Sequence, residues 1–364
     1  MTDGNATLRI ISGVDGKSPA CFLVEAEGRR IMLDLGYGPP VGMYPDVDDV
    51  GKVDALIIGH SHKDHAGSLH LREKIGNPPI YAGAIVAGRI DTGETINILP
   101  LKGVGEVLGI AIETGRTGHA PGGLWLNLKV GKGLLYMSDH TVDSIVYDWD
   151  QATPAHTVLL DGSYGDSDEP MADQQRDILA IAKRGGLLLP VPADGRGPEI
   201  ALYLMREGVT NLRMDAPMRA SVKRLIEIDS DTLRPGVREE LQELEKLALP
   251  VDDDPTAVTV ACPAAAGSGE TARLAALWEK ETMPAIVFNG FVPENTTADR
   301  LVKAGRAVYR CWNVHPRLSE NAELVRVTGA KVVVPCFGET APYMEAFRKA
   351  FAPAEVTIDR VLTL

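Results

Sequence analysis

Residues 56–67 read LIIGHSHKDHAG, and this stretch decides which fold the rest of the chain can adopt. After an apolar run, three histidines and one aspartate follow within six residues: His60, His62, Asp64 and His65. In extended backbone, residues two apart point to the same side, so the imidazoles of His60 and His62 can reach one ion. A turn after them can direct Asp64 and His65 to a second position. Imidazole beside carboxylate favours zinc, and such a dense cluster rarely serves packing alone.

Length and composition favour a globular protein of two domains, or of one large domain with an insertion. The chain has 364 residues, of which 45% are hydrophobic and 24% charged. Its formal net charge of −13 argues against broad electrostatic capture of nucleic acid, because phosphate binding depends on clustered lysine and arginine. A local basic channel stays compatible with this charge.

The sequence carries no signal for a membrane or for export. It has no run of about 18 apolar residues, and residues 1–10 lack the basic and apolar regions of a secretory leader. The cysteines are scattered without a C-x-x-C pair, which suits a reducing cytoplasm: they are Cys21, Cys262, Cys311 and Cys336. We expect a cytoplasmic protein with no membrane partner. The sequence leaves open whether the chain forms a homo-oligomer.

The spacing of apolar residues along the chain changes near residue 170. Before it, the chain reads as short strands, with a hairpin turn at residues 26–29, and this section is predicted to be mostly antiparallel. From Met171 onward, helical segments alternate with short apolar strands. Such alternation predicts a parallel or mixed sheet with helices packed on it. One more strand and helix close the chain.

Three further motifs accompany the histidine cluster in a fixed order. IMLDLG precedes it and supplies Asp34, whereas TGHAPGG and YMSDH follow it and supply His119 and Asp139. Taken alone, a Gly-His pair is as often a surface loop, and a lone aspartate can simply end a strand. In this order, however, the motifs resemble the H-x-H-x-D-H signature and flanking motifs of the metallo-β-lactamase superfamily.

The resemblance implies a centre for two Zn²⁺ ions. His60, His62 and His119 would hold one ion, Asp64 and His65 would hold the second, and Asp139 would bridge the two. Asp34 would support the ligands through hydrogen bonds.

A second resemblance narrows the branch. VLLDGSYGDSDEP resembles the E/D-S-T-Y-G segment of the β-CASP branch, in which an α/β domain is inserted into the αβ/βα sandwich of the metallo-β-lactamase fold. Asp161 matches the acid of this motif as a supporting group, and Ser163 and Tyr164 are its candidate substrate contacts. The resemblance implies a metallo-β-lactamase domain in two parts, residues 1–170 and 311–364, with a β-CASP domain at 171–310.

The insert also carries a candidate phosphate contact. GGLLLPVPADGRGPEI resembles a loop of the β-CASP branch, and its Gly195-Arg196-Gly197 comes just before a predicted helix. Backbone N–H groups at a helix start favour phosphate, and Arg196 can add a bidentate contact. An ordinary strand-to-helix turn explains the same residues equally well.

The final motifs of the branch are matched only in part. WNVHPRLSE supplies His315, which the resemblance assigns to protonation of the leaving group, so that Asp64 and His315 are the catalytic candidates. The branch ends with a metal-binding histidine in V-H-G-E, but here VVVPCFGE places Phe337 at that position. The second ion would then lose a ligand, unless a slip of one residue lets Cys336 supply a thiolate.

These motifs are compatible with three functions. The first is a zinc-dependent nuclease that cleaves phosphodiester bonds of RNA, or of single-stranded DNA, through a hydroxide bridging the two metals. The second is a hydrolase of a smaller substrate, which the acidic composition favours. The third is a non-catalytic relative with an impaired second metal site. The nearly intact ligand set favours an enzyme, and the insert favours the nuclease.

Overall fold

The structure is a computed structural model that describes residues 6–14, 16–38, 42–228, 231–281 and 283–364. The first five residues of the first predicted domain lie outside the described residues. In the described part of the chain, no helix is both long and apolar enough to cross a membrane.

The described residues form 20 strands, ten α-helices and two 3-10 helices. The strands are β1 (Thr7–Ser12), β2 (Cys21–Ala26), β3 (Arg29–Leu33), β4 (Ala55–Ile58), β5 (Ile80–Gly83), β6 (Asn97–Leu99), β7 (Gly103–Val107), β8 (Ile110–Arg116), β9 (Leu124–Leu128), β10 (Leu134–Tyr136), β11 (Thr157–Asp161), β12 (Leu187–Pro190), β13 (Leu212–Met214), β14 (Leu249–Pro250), β15 (Val258–Ala261), β16 (Ala285–Phe288), β17 (Val308–Tyr309), β18 (Val332–Cys336), β19 (Glu355–Val356) and β20 (Val361–Thr363). The α-helices are α1 (Lys63–Ala66), α2 (Ala84–Ala87), α3 (Met171–Ala182), α4 (Arg196–Arg206), α5 (Ala216–Glu227), α6 (Val237–Leu247), α7 (Gly269–Trp278), α8 (Thr297–Lys303), α9 (Leu318–Thr328) and α10 (Met344–Phe351), and 3-10 helices span Leu69–Ile75 and Ala341–Tyr343.

The chain divides into two compact units. The first contains Met1–Val142, Asp148–Asp168 and His315–Leu364, and the second contains Asp143–Tyr147 and Glu169–Val314. No sequence motif predicted that the short segment Asp143–Tyr147 would pack with the second unit.

The first unit is a sandwich of two seven-stranded sheets, in the orders β20-β1-β2-β3-β4-β5-β6 and β19-β18-β11-β10-β9-β8-β7. Their facing sides share one core, which includes Phe22, Ile57 and Tyr136. The short helices α1 and α2 cover the outer face of the first sheet, and α9 and α10 cover that of the second. The α/β class and the sandwich predicted from the sequence are therefore confirmed.

The direction of several early strands differs from the prediction. Strands β1, β2 and β3 are antiparallel as expected, but β3, β4, β5 and β6 run parallel to one another. The prediction of a mostly antiparallel opening section is wrong for this half of the sheet. Apolar runs such as ALII in β4 are buried on both faces, as is usual in parallel sheets.

The second unit contains a six-stranded sheet in the order β14-β13-β15-β12-β16-β17. All of its strand pairs are parallel. This agrees with the alternation of helix and strand that the sequence shows after Met171, because parallel neighbours need a crossover connection.

A buried glutamate attaches the segment Asp143–Tyr147 to the second unit. Glu199 lies in α4 and is 2% exposed, and its Oε1 accepts a hydrogen bond from the backbone N of Ile145 at 2.6 Å. Burial raises the pKa of Glu199 to about 7. The folded unit therefore retains a proton on this side chain at a pH where an unfolded chain would release it.

We predict that Glu199→Gln weakens the pH dependence of unfolding of the second unit. The unfolded wild-type chain releases this proton at a lower pH than the folded chain does, so the free energy of unfolding should fall by about 3 kcal/mol between about pH 5 and about pH 8. Glutamine keeps the oxygen acceptor and cannot ionise. Urea unfolding of both proteins at the two pH values measures the difference, and identical pH dependences would contradict the assignment.

Candidate metal centre

The histidine loop begins at the carboxyl end of β4, an interior strand of the first sheet. The N–H of Gly59 donates to Oδ1 of Asp34 at 2.7 Å, which fixes the backbone just before His60. A Cβ at Gly59 would lie 2.7 Å from Oγ of Ser138, so this position needs glycine. The chain then turns into α1, which carries Asp64 and His65.

A first group of possible ligands brings together three sequence motifs. It consists of His60, His62, His119 and Asp139, whose ligand atoms lie within 4.8 Å of one another. Nε2 of His119 is 3.1 Å from Nδ1 of His62 and 3.5 Å from Oδ2 of Asp139. Nδ1 of His60 lies 3.0 Å from Oγ of Ser138, which leaves Nε2 to face the group.

A second group contains Asp64, His65 and again Asp139. Nε2 of His65 lies 3.2 Å from Oδ1 of Asp139. On the other side of the ring, Nδ1 donates to Oδ2 of Asp34 at 2.6 Å, and the hydroxyl of Tyr136 donates to the same oxygen. This arrangement fixes the tautomer of His65 so that Nε2 points at Asp139.

The charges of the centre follow from this crowding. Burial lowers the pKa of His60 well below its ordinary value, and the neighbouring His65 and His62 add to the effect. Burial acts to raise the pKa of Asp139, but His65 and His315 outweigh it and hold the pKa well below the usual range. A neutral imidazole and an ionised carboxylate are the states in which these groups bind metal.

His315 forms a pair with Asp161 beside the first two groups. Its Nδ1 donates to Oδ2 of Asp161 at 2.8 Å, and it lies 3.8 Å from Oδ2 of Asp139. Asp161 also accepts from the backbone N of Ser163 at 3.0 Å and of His140 at 3.2 Å. Because hydrogen bonds already engage both of its oxygens, Asp161 is better suited to orient His315 than to bind an ion.

Phe337 fills the position where the resemblance led us to expect a histidine. Its ring centroid is 4.9 Å from that of His65, the residue is 3% exposed, and its backbone φ is +68°. Cys336 does not replace the missing donor. Its Sγ lies 3.3 Å from the carbonyl O of Val334 within the sandwich core, and in the described residues it joins none of the candidate groups. The alternative of a cysteine ligand is therefore not supported.

The candidate substrate contacts lie in different units. Tyr164 packs its ring against His315 with centroids 5.1 Å apart, and Ser163 lies next to it in the chain. Arg196 begins α4 in the second unit and is not part of the candidate groups.

Sequence reasoning missed two residues that hold the histidines in place, Tyr136 and Ser138. Both belong to YMSDH, the motif that supplies Asp139, and they are two positions apart. Ser138 follows the end of β10 and has a φ of +53°, so strand alternation does not predict its direction, and their place in one motif with Asp139 was the available signal. His140, which the sequence left without a role, is buried, and its burial lowers its pKa to about 4.

The residues fit a divalent cation. Nε2 of His60 is a buried atom with no hydrogen-bond partner among the described residues, and Nε2 of His65 and Oδ1 of Asp139, which lie 3.2 Å apart, have no partner there other than each other. A cation between these atoms would satisfy all three. The donor set of imidazole and carboxylate is the one that zinc and similar ions prefer.

Residues 14–167 match the family model of the Metallo-beta-lactamase superfamily. The endoribonuclease YSH1 of Kluyveromyces lactis is 22% identical in an alignment of 425 positions that covers 91% of this chain and 55% of that protein. Ribonuclease TTHA0252 of Thermus thermophilus is 27% identical over 248 positions, 56% of each chain. The resemblance to this superfamily and to its RNA-processing β-CASP branch is confirmed. The chain spans about half the length of these curated relatives.

A solved structure shares the fold over nearly the full length. A protein of unknown function from Enterococcus faecalis V583 matches 99% of this chain and 100% of its own, with a TM-score of 0.62 and 13% sequence identity. At this identity the match speaks for the fold alone.

We predict that Asp34→Asn weakens metal binding by about 10–100-fold, because the amide has only one acceptor oxygen for the bonds that Gly59, His65 and Tyr136 donate to the two carboxylate oxygens, so His65 is less well oriented. Titration with Zn²⁺ against a chromophoric chelator measures the affinity. Tyr136→Phe is the matched control, since it removes one hydrogen bond and keeps the contact between Asp34 and His65. Wild-type affinity in Asp34→Asn would show that His65 does not depend on this carboxylate.

Proposed function

We propose that this chain, a relative of the metallo-β-lactamase superfamily and of its β-CASP branch of RNA-processing nucleases, is a zinc-dependent nuclease that cleaves phosphodiester bonds of RNA. The observation that carries the proposal is the convergence of three groups of side chains on Asp139. Two of them have the composition of metal sites, and the third contains His315, a proton donor of suitable type. Single-stranded DNA is the second candidate substrate.

Zinc is proposed because the donors are imidazoles and carboxylates in a compact, buried cluster. His60, His62 and His119 would hold one ion, Asp64 and His65 the other, and Asp139 would reach both. Bound zinc would supply a water that ionises near neutral pH and would stabilise the negative charge that develops on a phosphate.

His315 would act on the leaving group. Because its Nδ1 donates to Asp161, Nε2 is the atom that would pass a proton to the departing oxygen. Tyr164, against the ring of His315, and Asp161, behind it, would hold the imidazole in one orientation. Asp161 is thus proposed as a positioning residue, and His315 as the general acid.

The names of the relatives support RNA as the substrate. YSH1 and TTHA0252 are named as an endoribonuclease and a ribonuclease. The net charge of −13 favours the competing proposal, a hydrolase of a smaller substrate, because nucleic-acid binding depends on positive charge. Phe337 favours a third proposal, a non-catalytic relative that retains one ion.

We propose a cytoplasmic location from the cysteines. None of the four, all of which lie in the described part of the chain, forms a disulfide bond, as expected in a reducing compartment.

We predict that the zinc-loaded protein cleaves end-labelled single-stranded RNA and that His62→Ala does not, because that change removes a proposed direct ligand of the first ion. His70→Ala is the matched control, since His70 lies on the neighbouring 3-10 helix outside the candidate groups. Product sizes are read on a denaturing gel, with single-stranded DNA of the same sequence in parallel. Equal cleavage by wild type and His62→Ala, or none by either, would refute the nuclease.

We predict that Phe337→His strengthens binding of the second ion by about tenfold or more. Residues that only hydrogen-bond to a metal ligand already change metal affinity by about 10-fold or more, and a direct ligand should do at least as much. Histidine is among the residues that adopt positive φ most readily, and its ring would lie beside His65. The number of zinc ions retained per chain after dialysis against a weak chelator measures the effect, and Phe337→Leu is the control without a donor. If the wild type already retains two ions with equal affinity, Phe337 does not weaken the site.

A further inference from the structure

The second unit has a cavity of its own at the carboxyl end of its parallel sheet. Its volume is about 110 Å³, and it is lined by residues that follow β12 and β16, together with Arg196. From β12 the chain first crosses to β13 and β15 on one side, and only later reaches β16 on the other side. Parallel sheets bind ligands in the crevice at such a switch point, outside the carboxyl ends of the strands.

Two aromatic rings stand exposed at this end of the sheet. Phe291, which lines the cavity, is 56% exposed, and Tyr309 is 44% exposed. Tyr309 is paired with Phe288 at the end of β16, and the N–H of Arg310 donates to the carbonyl of Phe288 at 2.9 Å. Both rings therefore follow the ends of neighbouring strands of the parallel sheet.

Arg196 supplies a fixed positive charge in the cavity that Phe291 lines. Its Nη1 donates to the carbonyl O of Asn289 at 2.5 Å, and a Cβ at Gly290 would lie 2.0 Å from that nitrogen, so the glycine makes room for the guanidinium. Burial raises the pKa of Tyr309, and the nearby Arg196 acts in the opposite direction.

The charge of Arg196 is not cancelled by a carboxylate. In the described ranges it forms no ion pair within 4.0 Å, and its buried Nε has no hydrogen-bond partner. The neighbouring acid Glu199 has its pKa raised to about 7 by burial, so near neutral pH about half of its population carries no charge. Arg310, by contrast, lies 3.4 Å from Asp177 and contributes less positive charge.

We propose that Phe291, Tyr309 and Arg196 form an aromatic platform that binds single-stranded nucleic acid, with bases stacked on the rings and a phosphate held by the guanidinium. Exposed aromatic rings beside arginine are the elements with which proteins bind unpaired strands without reading their sequence. The choice of nucleic acid over another aromatic anion rests on the proposed nuclease function. A duplex should bind more weakly, because its base faces are already stacked.

The test measures binding by the full chain carrying His62→Ala, so that the strand is not cleaved. The probe is a 12-nucleotide RNA with one 2-aminopurine, whose fluorescence reports stacking, and fluorescence anisotropy gives the affinity. Phe291→Ala and Tyr309→Ala should each weaken binding about tenfold and restore the fluorescence of the probe. Leu277→Ala, which changes a side chain that is 49% exposed on α7 of the same unit, should leave both unchanged.

Arg196→Gln tests the phosphate contact separately. The slope of log affinity against log salt concentration should lose about 0.7 in magnitude, the value for one phosphate on a single strand. Circular dichroism checks that each variant is folded. Unchanged RNA affinity in both aromatic variants, or an equal loss in Leu277→Ala, would overturn the proposal. It would also be overturned if sedimentation showed that the aromatic variants break a dimer while RNA affinity stays the same.

The outcomes separate this proposal from the nuclease itself. If the metal-loaded wild type cleaves RNA but the aromatic variants bind it normally, the platform is refuted and the nuclease stands. If the aromatic variants lose binding and the wild type cleaves nothing, the platform stands and the nuclease is refuted.

Discussion

The buried carboxylate of Asp34 is the contact on which the first unit depends. It lies just after β3 and accepts from the N–H of Gly59 at the end of β4, from the ring of His65 in α1, and from the hydroxyl of Tyr136 in β10. It therefore links both sheets of the sandwich to the histidine loop. Its own backbone adopts φ of +58°, a conformation that aspartate tolerates better than most residues. A buried charge is stable only when such donors surround it.

The same crowding explains why the centre is asymmetric. The first group has three imidazoles around Asp139, whereas the second has one, and the apolar ring of Phe337 packs against it. An ion in the second group would depend on Asp64, His65 and the shared carboxylate. If both groups bind an ion, the two positions would differ in donor number while sharing one ligand, so that occupancy of one would change the electrostatic potential at the other. Electrostatics alone would make their affinities interdependent.

Much of this centre could be predicted from the sequence, because the ligands come in short motifs at strand ends. His60 and His62 are two apart after a strand, and that spacing alone places them on one side. Which motifs meet in space came from the family resemblance. Neither the spacing nor the resemblance predicted the direction of the Cys336 side chain, because the side to which the last residues of a strand point depends on the local backbone at Phe337. Both side chains lie in the core of the sandwich, where the ring of Phe337 also packs against His65 and the thiol of Cys336 lies near the carbonyl of Val334.

The acidic composition is compatible with the proposed nucleic-acid substrate if binding depends mainly on short-range contacts. A protein with net charge −13 gains little from long-range attraction, so its affinity for a strand must come from short-range contacts. Stacking is such a contact, because it depends on ring surface and not on ionic attraction. An arginine held over a glycine, as Arg196 is over Gly290, adds a phosphate contact at the cost of little side-chain entropy. Binding of this kind should depend on salt less steeply than binding by a basic channel, since few phosphates are neutralised.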